Sequence, residues 1–480
     1  MRHRQERFLS LIGPNADSAS VTEVDLAELP GEATSELGTP LTGVPADIGF
    51  TKPDGLTWWD WTVFLLHTAA EIEHALLVQY LYAAYSLRDG NFQGPNVPTN
   101  ALTLVQGWRE TIVGVAREEM GHLISVQNLL RFIGGSLNVE REDFPFRTLY
   151  PFRFQLEPLT KTSLAKYVAA EMPENPAQPD ELMREIIQRA TGSAGGLNVN
   201  RVGPLYTELG TIFADSTKLS DNDLFPGTAD SFQAKQEDWF AFDPIIVREL
   251  RSRDDAVSAL DEIGEQGEGP GQPTDATTPS HFDRFIRIYQ EYPNEKIEPV
   301  DWIPFRLVPT NPNTLVSPSS DAHLERGRIT DPVSRLWAQL SNVRYRMLLL
   351  SVVHALYLEG PMNEMNGSPT MRGNLRNWAF QEMLTGLSAV STRLVQLPLK
   401  AELSSQEQVA ALPFELPYTL ALPDRDLDRW RLHLALIEGS HSLIEQIESE
   451  SASGSDTVLD ELKRLDAERQ QRIEEHLSQL

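Results

Sequence analysis

The sequence predicts an all-α protein built around a four-helix bundle. Three features of its 480 residues support this prediction. Long stretches follow the helical period of about 3.6 residues, glycine- and proline-rich loops separate them, and patterns typical of strands are few and short. The apolar share of 41% is enough for a large core.

Composition divides the chain into four parts. Residues 1–56 are rich in Pro, Gly, Ser, Thr and acids, which predicts a long irregular N-terminal arm. Residues 57–293 carry the predicted bundle, residues 294–330 form a proline-rich linker, and residues 331–480 form a C-terminal helical domain. The bundle part also contains inserted loops.

Apolar periodicity and stop signals outline the helices. In the bundle they are expected at 57–87, 101–133, 202–220 and inside DDAVSALDEIGEQGEGPGQP, which breaks at its glycines and leads into the helical stretch SHFDRFIRIYQEY. The second helix is expected to stop at Gly134 and Gly135, because glycine caps helix C-termini. The C-terminal part predicts four more helices, at 331–359, 373–398, 424–450 and 455–480.

The charge and the cysteine count exclude several classes of protein. With 69 acidic and 41 basic side chains the formal net charge is -28, which argues against nucleic acid and anionic membrane surfaces as partners. No apolar run is long enough for a signal peptide or a membrane span, so a cytoplasmic protein is expected. Because the chain has no cysteine, any metal must be held by His, Asp and Glu, ligands that suit iron, manganese or zinc.

The first helix places a carboxylate on its apolar face. That face runs through Leu66 and Leu77, and Glu73 falls on it, whereas Glu71 points about 200° away. Tyr80 lies two turns beyond Glu73 on the same side, where its hydroxyl could hydrogen-bond a ligand and take part in catalysis. Simple core packing explains Tyr80 equally well.

The second helix carries the motif REEMGHL on an apolar stripe. Glu119 and His122 interrupt the stripe formed by residues such as Val115 and Leu123, and their i,i+3 spacing puts both side chains on one face. Glu118 points further round, towards solvent or a salt bridge.

Taken singly, each of these residues is more often a paired core residue than a metal ligand. Their combination favours a metal, because a buried charge without a partner costs several kcal/mol and the two faces lack Lys and Arg. Glu-x-x-His on a bundle helix is a known ligand motif of di-metal carboxylate proteins.

The other two bundle helices offer a less complete ligand set. On the third helix Glu208, in LYTELGTIF, is the inward candidate. The fourth helix offers Glu262, Glu265 and Glu268, followed by His281 after the loop, without an intact Glu-x-x-His.

The stretches AEIEHALLVQYLYAAYSL, REEMGHL, GEQGEGP and SHFDRF resemble the ferritin-like domain of the iminophenyl-pyruvate dimer synthase family. This family includes the imine-dimerising enzymes of violacein and rebeccamycin biosynthesis. The resemblance covers residues 57–292 well and the C-terminal third loosely. It implies a ferritin-like four-helix bundle with an extra C-terminal helical region.

The resemblance also implies a ligand set. It carries over Glu73, Glu119 and His122, selects Glu268 on the fourth helix, and adds His281. One position departs from the family pattern, because Pro204 stands where members commonly have a glutamate.

Two functions are compatible with these features. The first is a non-haem metal oxidoreductase or oxidative coupling enzyme of secondary metabolism, holding one or two iron ions, with manganese or zinc as alternatives. Its partners would be an amino-acid-derived small molecule and dioxygen or peroxide, with assembly into a homo-oligomer left open. The second is a catalytically degenerate ferritin-like binding or structural protein, which the proline at position 204 favours.

Overall fold

The computed structural model describes residues 50–88, 97–144, 155–176, 179–193, 201–239, 245–267, 279–293, 302–403, 408–416, 422–450 and 456–479. Almost all of the predicted N-terminal arm lies outside these residues. Within them the prediction of an all-α protein is confirmed, since β structure is limited to isolated bridges such as that between Leu87 and Phe305.

Nine α-helices occupy the described residues of the first part of the chain. They are α1 (Trp58–Ser86), α2 (Ala101–Phe132), α3 (Lys161–Ala170), α4 (Asp180–Ser193), α5 (Gly203–Ala214), α6 (Thr228–Ser231), α7 (Gln236–Trp239), α8 (Arg253–Gly267) and α9 (His281–Glu291). A 3-10 turn, Asp221–Asp223, lies between α5 and α6. Helix α5 ends earlier than the predicted 220, and α4 was not predicted.

Helices α1, α2, α5 and α8 form the four-helix bundle. Helix α1 packs against α2 and α5, while α8 packs against α5 and α2. Helix α9 lies across α2, α3 and α8, and α3 packs against α4. The largest apolar cluster runs through these elements and includes Trp61, Leu65, Phe132, Phe213 and Phe285.

Local sequence explains where the two longest helices begin and end. Thr57 caps α1 through a capping box, accepting a hydrogen bond from Asp60 N while the Asp60 carboxylate accepts from Thr57 N. Helix α2 ends at Phe132, two residues before Gly134, whose φ of +70° favours glycine. The predicted glycine stop is therefore confirmed.

The described residues of the C-terminal part contain six further α-helices. They are α10 (Ala322–Gly327), α11 (Pro332–Tyr357), α12 (Met371–Gln381), α13 (Ser388–Leu394), α14 (Asp426–Glu450) and α15 (Thr457–Leu477). A π-helical segment, Glu382–Leu387, joins α12 to α13. Helix α11 packs against α12, α14 and the π-helical segment, and α14 packs against α15.

Helices α1 and α2 are buried on two sides. One side faces the bundle, while Val78 and Tyr82 of α1 and Met120 and Ile124 of α2 belong to apolar clusters built mainly by the C-terminal helices. The Tyr82 hydroxyl donates to Pro309 O at 2.5 Å. Burial all round explains why α1 shows so few polar positions in the sequence.

A buried ionic cluster stabilises the C-terminal helices. The Arg344 guanidinium donates to Glu382 and, at 2.6 Å, to Asp466 Oδ1, and Arg469 also donates to Glu382. All four side chains are buried, so their charges balance within the cluster. Removing one member leaves an uncompensated buried charge, which is far more costly than losing a surface ion pair.

We therefore expect Asp466→Asn to lower the free energy of unfolding by about 3–5 kcal/mol, measured by urea denaturation. The matched control on the same helix is Glu461→Gln, because Glu461 pairs with Arg464 at an exposed position. That change should cost less than about 1 kcal/mol. Equal effects of the two substitutions would contradict the ionic role of the cluster.

Candidate metal centre

Five side chains with carboxylate or imidazole groups meet in the bundle. Glu73 comes from the middle of α1, and Glu119 and His122 come from α2. Glu171 is the C-cap residue of α3, and His281 is the first residue of α9. All five are buried, with at most 3% of each residue exposed.

Two of these residues lie at helix ends: α3 ends at Glu171, and α9 begins at His281. Glu171 N donates to Tyr167 O at 3.1 Å, and the proline at 173 prevents α3 from continuing. Ser280 caps α9 by accepting from Asp283 N at 3.2 Å, so His281 occupies the first helical position. Helix ends therefore supply two of the five side chains of the centre.

The five side chains form two groups that share one carboxylate. In the first group His122 Nδ1 lies 2.9 Å from Glu119 Oε2 and 3.3 Å from Glu73 Oε2. In the second group His281 Nδ1 lies 3.1 Å from Glu119 Oε1 and 3.7 Å from Glu171 Oε2. Each group has one ligand atom per residue within 4.8 Å of the others. Glu119 presents one oxygen to each group.

Hydrogen bonds outside the centre orient both histidines. His122 Nε2 donates to Gln266 Oε1 at 2.7 Å, and His281 Nε2 donates to Glu118 Oε2 at 3.1 Å. Protons on Nε2 leave the Nδ1 lone pairs of the neutral rings directed at the carboxylates. Such outer hydrogen bonds are typical of metal-binding histidines, because they fix the tautomer.

Two tyrosines hold the terminal carboxylates, which are those of Glu73 and Glu171, because each of these belongs to only one of the two groups. The Tyr80 hydroxyl donates to Glu171 Oε1 at 2.5 Å, and the Tyr206 hydroxyl donates to Glu73 Oε1. Tyr206 comes from α5, so each group receives one tyrosine from a different helix. The remaining oxygen of each terminal glutamate points into the centre.

Three buried polar atoms of the centre have no hydrogen-bond partner, and this shows whether the residues fit a metal. Glu73 Oε2, Glu119 Oε1 and His281 Nδ1 are buried and lack a hydrogen bond of acceptable geometry. Buried polar atoms are nearly always hydrogen-bonded, so three such atoms distributed over the two groups need another explanation. Two cations shared by these groups would satisfy all three atoms. The residues therefore fit a metal site with two positions.

The electrostatics of the metal-free protein point the same way. Burial and the neighbouring Glu119 carboxylate raise the pKa of Glu73 to about 8. Burial opposes the charged form of His122, but hydrogen bonds to Glu119 and Glu73 raise its pKa to about 10. Burial also opposes the charged form of His281, but electrostatic attraction to Glu119 raises the pKa of His281 well above its usual value. Without metal, the centre therefore retains protons between its carboxylates.

The Glu118 side chain is buried rather than exposed, and the predicted salt bridge is present. Arg284 Nη1 donates to Glu118 Oε1 at 2.7 Å, and the same carboxylate accepts the proton of His281. Although burial works against it, hydrogen bonds from Arg284 and His281 hold the pKa of Glu118 below its usual value.

The structure brings together four of the six predicted ligands: Glu73, Glu119, His122 and His281. Their role as ligands remains a prediction. Glu208 is half-buried on α5 and belongs to neither group, because Tyr206, two residues earlier, occupies the face towards α1. Pro204 lies in the first turn of α5, where proline is tolerated. Glu268 and the following loop lie outside the described residues.

Sequence reasoning missed Glu171 as a ligand candidate. The signal was present, because Glu171 follows the buried stretch from Tyr167 to Ala170 just before a proline, the same carboxylate-on-apolar pattern as in α1. It also missed Gln266 and Arg284, whose roles depend on contacts between helices distant in sequence.

Two glycines allow close approach around the centre. A Cβ at Gly267 would lie 3.0 Å from Glu171 Oε2. A Cβ at Gly121, between Glu119 and His122, would lie 2.7 Å from a side-chain carbon of Ile245. The motif therefore needs glycine at position 121 for packing rather than for ligation.

Comparison with known proteins identifies the domain. Residues 66–290 match the family model described as Ferritin-like, which covers the four bundle helices except the first turns of α1. The ferritin-like fold predicted from sequence is therefore confirmed for this part of the chain.

Two curated relatives support the predicted family resemblance. Dichlorochromopyrrolate synthase of Lentzea aerocolonigenes is 26% identical over 360 residues, 69% of this chain and 34% of the relative. The 2-imino-3-(indol-3-yl)propanoate dimerase of Chromobacterium violaceum is 25% identical over 241 residues, 46% of this chain and 22% of the relative. This chain thus spans about a third or less of the length of these relatives.

A ferritin-like protein of Caulobacter vibrioides is similar among solved structures. It covers 68% of this chain and 95% of its own, at 16% identity and a TM-score of 0.40. No helix within the described residues is both long and apolar enough to cross a membrane.

The shared position of Glu119 predicts how metal content changes in variants. Glu119→Ala should lose both equivalents, Glu171→Ala should lose one, and Glu208→Ala should lose none, measured by elemental analysis of purified protein. Full metal content in the Glu119 variant would show that the two groups are not metal sites.

Metal binding should release protons. At pH 7 the raised pKa values of about 10 for His122 and about 8 for Glu73 mean that both groups are protonated in the metal-free protein. A metal must displace these protons, so its apparent affinity should rise as the pH increases from 6 to 8. Calorimetry of Zn²⁺ binding in two buffers of different ionisation enthalpy measures the number released. Release of less than one proton per chain at pH 7 would contradict this assignment.

Proposed function

We propose that this chain is an enzyme with a non-haem centre of two metal ions, iron being the favoured metal. The single observation that carries the proposal is the pair of buried Glu/His groups sharing Glu119. Three buried carboxylates and two imidazoles in this arrangement match the chemistry of di-metal carboxylate proteins. Hard oxygen and imidazole nitrogen donors suit iron or manganese, and zinc remains the alternative.

Glu73, Glu119 and His122 would hold one ion, and Glu119, Glu171 and His281 would hold the other. Bound iron would supply the capacity to take up electrons and to activate dioxygen or peroxide. Tyr206 and Tyr80 hold the terminal carboxylates, and Gln266 and Glu118 orient the two imidazoles, so this chain preorganises the centre. Its apolar surroundings exclude water.

The proposed reaction is oxidative coupling of an amino-acid-derived imine in secondary metabolism. The names of the two relatives, a synthase and an imino-acid dimerase, support this class of substrate. Joining two such molecules by a carbon–carbon bond removes two protons and two electrons. An oxidant must therefore take part. Hydrogen peroxide can serve, because it takes up the two protons and the two electrons and becomes two molecules of water.

A cleft between α5 and α8 would give the substrate access to the metal centre. It has a volume of about 490 Å³ and is lined by Tyr206, whose hydroxyl reaches Glu73. Glycines at 203, 210 and 264 keep the cleft open, and Asp261 and Glu265 make it acidic. An acidic wall favours a substrate carrying a protonated amine or imine.

The runner-up function is a binding protein with a degenerate centre. The absence of a carboxylate at position 204 favoured it in the sequence, but Glu171, from another helix, would supply a third carboxylate beside Glu73 and Glu119. An activity measurement distinguishes the two functions.

The test uses iron-loaded protein with imines made in situ from L-tryptophan or L-phenylalanine by an amino-acid oxidase, which also generates peroxide. We expect coupled dimers, detected by mass spectrometry, and at least a hundredfold less product with Glu119→Gln. The matched variant Glu208→Gln should retain activity. If dimers form at the same rate with the Glu119 variant, or with no protein, the proposed function is wrong.

The cleft supplies a second arm of the same experiment. A Cβ at Gly264 would lie 3.9 Å from Tyr206 Cβ, an ordinary contact, so Gly264→Ala should be tolerated. Gly264→Leu should narrow the cleft and raise KM without changing metal content. An unchanged KM in the leucine variant would show that substrate enters elsewhere.

A further inference from the structure

A second cleft lies on the opposite side of α1 and α2 from the candidate metal centre. Residues of α1, α2 and the π-helical segment line it, and its volume is about 480 Å³. Three arginines, Arg88, Arg109 and Arg117, stand around it. We call it the arginine cleft.

The arginine cleft is a cationic region on a strongly acidic chain. The whole sequence has a formal net charge of -28, yet the cleft has three arginines and a single acid, Glu110, which accepts a hydrogen bond from Gln106 at 2.9 Å. Within the part of the chain that the structure describes, neither Arg109 nor Arg117 forms an ion pair. Arg109 lies instead over the ring of Tyr85, 5.9 Å from its centre. Two guanidinium groups are therefore available for an anion.

The floor of the arginine cleft is apolar and leads inwards. Leu77, Leu81, Tyr85 and Met383 line the cleft and also line a partly enclosed cavity next to it, of about 50 Å³. We call this space the inner cavity. Its lining is almost wholly apolar and includes side chains of α2, α11 and α12. Apolar cavities of this kind stay dry and accept apolar groups.

The π-helical segment shapes the wall between the two spaces. Its first residue, Glu382, is held by Arg344 and Arg469, and the next two, Met383 and Leu384, line the arginine cleft. Leu384 is 56% exposed, so it adds an apolar side chain at the edge of the arginine cleft. Single-turn π-helical segments are frequent at functional sites.

The arginine cleft and the candidate metal centre are separate sites. On α1 Glu73 belongs to the centre, whereas His74 lines the inner cavity and hydrogen-bonds Tyr345. On α2 His122 belongs to the centre, whereas Leu123 lines the inner cavity. Adjacent residues of a helix differ in direction by about 100°, so the two helices form a wall with one site on each side.

We propose that the arginine cleft and the inner cavity bind an apolar carboxylate. Arg109 and Arg117 bind the carboxylate, since guanidinium groups match its geometry and charge. The apolar part of the ligand lies over Leu81 and Met383 and extends towards the inner cavity. The ligand chemistry is that of an aryl carboxylate or a fatty acid, and this binding does not depend on the proposed reaction.

The test is calorimetry with full-length, metal-loaded protein and three probes: 2-naphthoate, decanoate and the neutral decan-1-ol. We expect one of the two carboxylates to bind, and binding by decan-1-ol to be at least about tenfold weaker, because a charge-assisted hydrogen bond is lost. Binding of 2-naphthoate alone indicates an aryl carboxylate, and binding of decanoate alone indicates a fatty acid.

Paired charge variants isolate the role of the arginines. The double variant Arg109→Gln, Arg117→Gln should weaken binding of the carboxylate at least about tenfold. The control Arg431→Gln, Arg472→Gln removes the same charge from exposed positions and should leave binding unchanged. Both should keep their metal content, and Glu119→Gln should still bind the probe.

Three results would overturn the proposal. They are no binding of either carboxylate, equal binding of decan-1-ol, and equal loss of binding in the two double variants. Because Glu119→Gln alters the candidate metal centre but not the arginine cleft, failure here is distinguishable from failure of the proposed function.

Discussion

Repulsion between buried carboxylates is the constraint on which the rest of the molecule depends. Glu73, Glu119 and Glu171 approach one another out of contact with water, where a charge without compensation costs several kcal/mol. Cations must therefore accompany them, as protons on the histidines or as metal ions. The tyrosines, Gln266 and the pair formed by Glu118 and Arg284 hold these charged groups in place.

Much of this organisation could be predicted from the sequence, because it follows from local periodicity. Glu73, Glu119 and His122 stand out on long helices whose phase is well determined by many apolar residues. That Glu171, and not Glu208, lies in the centre could not be predicted in this way. It depends on which short element packs against the helical pair, and α3 reaches the centre through contacts that no spacing in the sequence reveals.

His281 shows a second limit of sequence reasoning. The family resemblance predicted that His281 lies close to Glu119, and in the structure His281 Nδ1 is 3.1 Å from Glu119 Oε1. Helical phase alone says nothing here, because His281 begins a new helix. Its position is set by the cap at Ser280 and by burial of Phe282 and Phe285 against the bundle.

The division of the centre between elements has a consequence for how the molecule assembles. The first group lies within the hairpin of α1 and α2, so it can form as soon as these neighbouring helices pair. The second group needs residues 171 and 281, which are far apart in the chain, with helices α4 to α8 between them. Contacts between residues so distant in sequence have an entropic cost and form slowly. We therefore expect the two halves to mature in order, with the hairpin half serving as the template onto which the later one closes.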